Sequence, residues 1–374
     1  MNHFFSFSRL FALLAKEMTQ MMRDRITFGM MIGIPLVQLA LFGFAINTDP
    51  KQLPAALVTT SQDQFTRAIV SALEMTNYYR FDYVGISAKD ADELMLEGKV
   101  SFIVTIPSDL SKRALRGDEP QILIEADASD PSASSGAVST LSTVAKRALS
   151  RELGLQSQAD SPLDIIVHRR YNPEGISQYN IVPGLLGVIL QLVMVMMTAM
   201  ALTREVERGT MENLLAMPAT PFEIMLGKIL PYLGVGAVQV LVILVAAKLV
   251  FHVPFVGSMA LLVSGILIFI SSLVLIGYFI STIAGSQMQA MQMSFFFFLP
   301  SLMLSGFMFP FKGMPQWAQM IGEIFPLTHF LRLVRGVMLK GADLEAMRSP
   351  MLALIGFSIL LVILSLARFR KTLD

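Results

Sequence analysis

A charged segment near the middle of the chain, TREVERGTMENLLAMPATPFEIMLGK (203–228), carries the residue types that could do chemistry. It holds four glutamates and three basic residues between two long runs that contain almost no charge. Gly209 is expected to break the preceding helix, and Thr210 can cap a new short helix that Pro218 ends. Glu212 falls in the first turn of that helix, where the positive helix end favours an acid. The spacing therefore predicts a short, capped helix.

A second helix start follows at once in the same segment. Thr220 is a candidate N-cap, Pro221 occupies the first helical position and Glu223 lies three residues after the cap. Apolar anchors inside a charged rim are typical of a docking surface for another protein. A well-capped turn between two helices is the alternative, and the pattern alone does not separate the two.

Catalytic and metal chemistry find little support elsewhere in the chain. There is no cysteine, which excludes disulfides, thiolate metal sites and cysteine nucleophiles. The four histidines are scattered with no pair at metal-ligand spacing, so no metal site is expected. A phosphate loop is missing too, because the LGK at 226–228 lacks the upstream glycine and the following hydroxyl. The net charge of +1 argues against a nucleic-acid partner.

The composition of the chain indicates that the apolar runs on both sides of this segment lie in a membrane. The chain of 374 residues is 54% hydrophobic and 15% charged, whereas soluble domains average about 25% charged. A membrane helix needs about 20 apolar residues. About six segments qualify, at 26–46, 181–203, 229–251, 259–283, 290–310 and 350–367. Lys248 is the one charged residue within them, which argues against an ion-coupled transporter because ion relays need intramembrane acids.

Basic residues in short loops predict the orientation. Residues 1–25 have apolar side chains at helical spacing, which indicates an amphipathic helix on the membrane surface. Basic clusters occur in that helix, after the second span and after the last, so both termini are expected in the cytoplasm. Residues 311–349 are too polar to span and are expected to form short helices at the outer face. Four of their basic residues, Lys312, Arg332, Arg335 and Lys340, weaken the predicted orientation without reversing it.

Residues 47–177 have a different character, with 18 acidic and 13 basic residues. Strand-like runs such as AALVTT, VSFIVTIP, PQILIEAD and LDIIVHRRY alternate with helical ones. One helix is expected to begin at Ser87 and to stop at Gly98. This alternation predicts an extracytoplasmic α/β domain. The acidic, small-residue run DASDPSASSGAVST (127–140) favours a surface loop, with a ligand or partner surface as the alternative.

The fifth span, MQMSFFFFLPSLMLSGFMFPF (291–311), is unusual because proline and glycine interrupt it. A proline in a membrane helix frees a backbone carbonyl, which is tolerated where protein or water satisfies it. A broken helix beside a transport pathway and a bent packing helix both fit this sequence. The candidate pathway or gate residues are Phe295, Phe296, Phe297, Phe298, Pro300 and Gly306.

The pattern RE-x-ERGT-x-ENLL-x-MP-x-TPFEIM-x-GK resembles the signature of bacterial ABC transporter type-2 permeases of the multidrug-export branch. YNPEG at 171–175 and the C-terminal RFRKTL are similar to that branch as well. The resemblance implies an ABC type-2 exporter fold over the whole chain: 1–25 an interfacial helix, 26–46 the first span, 47–177 the external domain and 178–374 a five-span domain. It further implies that 204–228 is the coupling helix. The residues implied to seat in a partner ATPase are Arg204, Glu205, Glu207, Gly209, Thr210, Glu212, Leu215 and Pro218.

By the same resemblance the chain is the non-catalytic membrane subunit of an exporter in a bacterial inner membrane. ATP and Mg²⁺ would bind a separate ABC ATPase subunit, and a second permease copy, identical or a sister, would complete the pathway. A periplasmic adaptor and membrane lipid are further expected partners. The expected substrate is a lipophilic or amphiphilic compound such as a drug. A non-transporting membrane receptor or scaffold is the alternative from another class, and a polysaccharide or lipid exporter is a narrower one.

Overall fold

A computed structural model describes residues 51–61, 63–155, 163–207, 209 and 221–368. The interfacial helix predicted for 1–25 and the first span predicted for 26–46 lie outside these residues. Residues 208 and 210–220 of the predicted coupling helix do so too.

Residues 53–170 form a mixed five-stranded sheet with helices on it. The strands are β1 (Leu53–Val58), β2 (Tyr79–Val84), β3 (Phe102–Thr105), β4 (Gln121–Asp127) and β5 (Asp164–Arg170), in the order β2-β1-β3-β4-β5. Only the β3–β4 pair is antiparallel among them. The helices are α1 (Gln64–Met75), α2 (Ala88–Leu96), α3 (Leu110–Arg116) and α4 (Pro131–Glu152). We call residues 53–170 the α/β unit.

Each face of this sheet has its own core. The first contains Leu73 of α1 and Leu149 of α4, and the second contains Ala91 and Met95 of α2. Ser87 caps α2 by accepting from the backbone N–H of Asp90, as the sequence predicts. The surface loop favoured for 127–140 is wrong from Pro131 onwards, because those residues begin α4. Proline at the first helical position is compatible with this start.

Seven further helices follow the α/β unit in the described residues. They are α5 (Ser177–Glu207), α6 (Pro221–Leu249), α7 (Met259–Ser281), α8 (Gln287–Leu304), α9 (Gln316–Gly322), α10 (Pro326–Lys340) and α11 (Arg348–Arg368). Among the described residues, four segments are long and apolar enough to cross a membrane: Ser177–Met200, Pro231–Leu249, Met259–Ser281 and Arg348–Ser365. Helix α8, within the predicted fifth span, does not reach that threshold because of its polar start.

Helix α7 is central and packs against α5, α6, α10 and α11. Gly277 lets α7 approach α5 closely, since a Cβ there would lie 2.6 Å from the Val195 carbonyl oxygen. The Phe269 and Phe330 rings stack 4.0 Å apart between α7 and α10. By contrast α6 and α11 leave most of their apolar surface exposed, with only 17% and 22% of their span residues buried. These two helices therefore present faces that suit lipid or another apolar surface.

Helix α8 is not broken at Pro300, as one interpretation of the sequence held, but continues through it to Leu304. The chain turns at Gly306, whose φ of +87° is in the left-handed region that glycine tolerates. The interruption therefore lies at the glycine, after the last helical turn.

Candidate functional site

The charged segment begins in the last turns of α5. Arg204 and Glu207 are exposed there, and the helix ends at Glu207. Gly209 adopts φ +67°, a left-handed turn that ends a helix in the usual way. Pro221 and Glu223 lie in the first turn of α6. The structure describes no side chain for Glu205, Pro221 or Glu223. Outside the described residues lie Thr210, Glu212, Leu215, Pro218 and Thr220.

Glu207 connects the end of α5 to the start of α8. One carboxylate oxygen accepts the backbone N–H of Gln287 at 2.7 Å, and the other accepts the Gln287 side-chain amide at 2.5 Å. These two hydrogen bonds, the side-chain one first, hold the pKa of Glu207 below its ordinary value. Gln287 is the first residue of α8, so the acid lies at the positive end of that helix. We call this contact the Glu207–Gln287 link.

The start of α8 is itself well capped. The Ser286 hydroxyl accepts the backbone N–H of Gln289, and the Gln289 side chain reaches back to the N–H of Gly285 at 2.6 Å. This arrangement resembles a capping box, displaced by one residue on its return bond. The link from Glu207 therefore joins α5 to a helix end that is already fixed.

The candidate pathway residues on α8 do not share one environment. Phe295 and Phe296 are exposed, whereas Phe297 packs edge-on against Phe325 with ring centroids 5.6 Å apart. Phe298 and Pro300 are partly buried. Next to Pro300, the Ser301 hydroxyl donates to the buried Gln191 side chain of α5 at 3.1 Å. The structure thus brings α8 against α5 but does not gather the four phenylalanines into one gate.

A cavity of about 870 Å³ lies at the opposite end of the helices, between them and the α/β unit. Its wall includes Asp127 and Ser129 from the α/β unit, Lys312 from the turn after α8, and Arg335 and Lys340 from α10. Of the candidate pathway residues, only Gly306 lines it. The ligand-surface alternative for 127–140 is compatible with this placement of Asp127 and Ser129.

Buried polar contacts hold α10 to the α/β unit at this cavity. The Lys340 ammonium pairs with Asp127 at 2.5 Å, and the two side chains are only 7% and 13% exposed. Arg335 donates to the Asn180 side-chain oxygen at 2.6 Å and to the Gly306 carbonyl at 3.1 Å. Asn180 in turn donates to the Ser129 carbonyl, which ties α5 to the α/β unit.

The electrostatics of this network are opposed by burial. Burial disfavours the Asp127 carboxylate, but Lys340, Ser129 and Lys312 outweigh it and the pKa of Asp127 is lowered. Burial lowers the pKa of Lys312 to about 7, with Asp127 acting against that shift. Burial also lowers the pKa of Arg335. The wall of the cavity therefore holds several cations whose charges are partly removed from water.

The YNPEG stretch forms the joint between β5 and α5. Tyr171 takes φ +69°, and the buried Asn172 side chain exchanges two hydrogen bonds with the backbone of Ile176, at 2.9 and 3.0 Å. Asparagine suits this position because its side-chain amide can both donate to and accept from the backbone of a nearby turn residue. This part of the pattern therefore has a structural reason in the chain itself.

Sequence reasoning missed three participants in these sites: Gln287, Asp127 and Gln191. Each contacts a residue at least 80 positions away, so no local pattern marks it. The basic residues of 311–349 were a usable signal, because four cations in a predicted outer segment need partners. In the part of the chain that the structure describes, no three histidine or carboxylate side chains are grouped to hold a metal ion.

The helical spans, the α/β unit and the capped end of α5 define the class of protein to which the chain belongs. Residues 25–367 match the model of the ABC-2 family transporter proteins, so the chain is a member of that family and an ABC transporter permease. Members of the family are generally non-catalytic permease subunits. In general such permeases have an ABC ATPase partner and a dimeric arrangement.

Three Escherichia coli K12 proteins illustrate the similarity. The probable multidrug ABC transporter permease YbhS is 30% identical over the full length of both chains. The probable multidrug ABC transporter permease YbhR is 26% identical over 91% of this chain and 92% of its own. The inner membrane transport permease YhhJ is 31% identical over 86% of each.

Proposed function

We propose that this permease is the membrane subunit of an ATP-driven exporter, with a separate ATPase subunit docked on residues 203–228. ATP would clamp two nucleotide-binding subunits together and move the coupling helices. The helix pairs would then tilt and open a pathway to the outside for a lipophilic or amphiphilic substrate. The names of YbhS and YbhR, both multidrug permeases, support a drug-like substrate.

The observation that carries this proposal is the Glu207–Gln287 link. Helix α5 leads directly into the charged segment. Both carboxylate oxygens of Glu207 accept hydrogen bonds from Gln287, the first residue of α8. A displacement of the charged segment would therefore move α5 and α8 together. Because α5 also packs along α7 and α10, the movement would be shared by the bundle core.

The proposed orientation places both termini and the coupling segment in the cytoplasm of a bacterial inner membrane, and the α/β unit outside. Basic side chains near Glu207 and after α11 support it. A second permease copy would pair through an exposed helical face, and α6 and α11 offer the largest of those described. An adaptor protein in the periplasm would meet the α/β unit.

Co-purification tests the docking directly and needs no knowledge of the substrate. The full chain is solubilised in mild detergent and isolated, and its companions are identified by mass spectrometry, with and without Glu212→Arg. We expect an ATPase with a phosphate loop to accompany the wild type and to be lost from the variant. Glu74→Arg is the matched control, since Glu74 is exposed on the α/β unit. Failure to find an ATPase in several detergents would favour the receptor or scaffold instead.

Transport offers an independent test at the preceding turn. Gly209 has φ +67°, whereas proline is fixed near −65°. We expect Gly209→Pro to abolish efflux of lipophilic dyes while membrane insertion is retained. Normal efflux by this variant would contradict the coupling role of the segment.

A further inference from the structure

Two partly buried cations, Lys312 and Arg335, line the cavity between the α/β unit and the helices. The Lys312 ammonium donates one hydrogen bond, to the Ser101 hydroxyl at 3.2 Å. The Arg335 guanidinium donates to an amide and to a backbone carbonyl, both neutral, and its Nε is buried with no partner. Neither makes an ion pair with any carboxylate among the residues that the structure describes.

Three of the five carboxylates that line the cavity are already paired with other cations. Asp127 pairs with Lys340 at 2.5 Å. Glu323 accepts hydrogen bonds from Nη2 and Nη1 of Arg332, at 2.5 and 3.0 Å. Glu97 pairs with Lys99. Asp130 contributes a longer-range attraction to Arg335. A charge held away from water needs an opposite charge or several hydrogen bonds, so these two cations call for an anion from outside the chain.

The wall of the cavity also fits an apolar tail. Leu96, Leu331 and Met347 line it beside the charged groups. It reaches Leu352, a 56% exposed residue of α11 inside the candidate span Arg348–Ser365. The wall therefore combines cationic and apolar side chains, the two features that bind an anionic amphiphile, and it includes a residue of a candidate span.

We propose that this cavity binds the phosphate-type anionic group of an amphiphile, with Lys312 and Arg335 as its cationic ligands. Arg335 and Lys312 each have N–H donors beyond those used within the chain, and these can turn to the same group. The site rests on the contacts within this chain and does not depend on the export proposal. Free phosphate carries the same chemistry, so the test separates the two sources.

The test uses the purified full chain in nanodiscs of phosphatidylcholine. Phosphatidylglycerol is added, and retained lipid is counted by native mass spectrometry after release into detergent. We expect Lys312→Met and Arg335→Met each to reduce phosphatidylglycerol retention by about tenfold or more, because each removes a charge-assisted bond. The controls are Lys112→Met and Arg67→Met, which change exposed cations on the α/β unit.

A second arm adds inorganic phosphate and follows the midpoint of thermal unfolding. Stabilisation by phosphate that both cavity variants lose would also support an anion site, with a soluble ligand as its occupant. Equal retention of phosphatidylcholine and phosphatidylglycerol, together with no response to phosphate, would overturn the proposal. So would retention of phosphatidylglycerol that the two cavity variants leave unchanged.

The pH dependence separates a direct ligand from a merely structural lysine. The charges that face Lys312 are Asp127 on β4, Lys340 and Arg332 on α10, and Arg80 on β2. With the pKa of Lys312 near 7, we expect phosphatidylglycerol retention to fall as pH rises from 6 to 8. Lys312→Arg keeps its charge at every such pH, so the decline should vanish in that variant while binding remains. A decline of the same size in Lys312→Arg would show that another group titrates.

Discussion

The two ends of the helical bundle are joined to their neighbours by different physics. At the end that leads into residues 203–228, one exposed carboxylate, Glu207, bridges α5 and α8. At the opposite end, the buried side chains of Asp127, Lys340, Arg335 and Asn180 fix α10 and α5 to the α/β unit. A surface contact can break and reform at little cost, whereas breaking a buried pair is expensive. The first end suits movement and the second suits a fixed frame.

The largest effect is expected from removing the buried carboxylate. Asp127→Ala leaves Lys340 without its acid, and loss of one partner of a buried pair costs about 3 to 5 kcal/mol. We expect a corresponding fall in the midpoint of thermal unfolding in detergent. Asp82→Ala, which breaks the exposed pair with Arg80, should cost at most about 1 kcal/mol. Equal effects of the two would show that the cavity end of the bundle is not a rigid frame.

Packing between α5 and α7 should give the next largest effect. Gly277→Ala drives a methyl group against the Val195 carbonyl oxygen, 2.6 Å from the ideal position. Overpacking of this kind costs about 1 to 3 kcal/mol. Gly234→Ala is the matched control, because no atom lies within 4 Å of a Cβ there, and alanine should stabilise that helix by about 0.5 to 1 kcal/mol. Opposite shifts in the unfolding midpoint are the expected result.

A smaller effect concerns pH at the cavity end of the bundle. Lys312 has a folded pKa near 7, below its ordinary value, so the folded protein binds fewer protons than the unfolded chain above pH 7. Its charge therefore opposes folding fully below pH 7, and this cost is relieved as pH rises. We expect the wild type to gain about 1 kcal/mol relative to Lys312→Met between pH 7 and pH 8. Parallel pH profiles of unfolding would contradict the burial of this ammonium.

The smallest effect on stability is expected at Glu207. Glu207→Gln should leave the unfolding midpoint unchanged, because the side chain is exposed, yet it should lower ATP-driven dye efflux. The amide keeps one acceptor but loses the charge that favours the start of α8. Glu74→Gln controls for a lost surface charge. A variant that transports normally would show that the link carries no motion.

Local patterns in the sequence predicted part of this fold. Ser87 as a helix cap is encoded within one turn of helix, and among the described residues runs of apolar residues predicted four of the six expected spans. Strand β2, YRFDYV, was not predicted because it is an edge strand that buries only its first residue. The start of α4 escaped because serine and glycine favour turns over helices.

The candidate site was predictable only in its local half. The turn at Gly209 could be derived from residue types, whereas its neighbour Gln287 could not, since it lies 80 positions from Glu207. Lys312, Arg335 and Lys340 were noticed as basic residues on the wrong side for the orientation rule. Their contacts explain that exception, because these cations are held by protein groups and line a cavity.

Site-directed cross-linking tests the central claim most directly. The chain has no cysteine, so Glu212→Cys introduces one thiol that can carry a photoreactive benzophenone in native membranes. We predict a covalent adduct with an ATPase that contains a phosphate loop, and none from Glu74→Cys on the α/β unit. An ATPase adduct from both positions or from neither would contradict docking at residues 203–228.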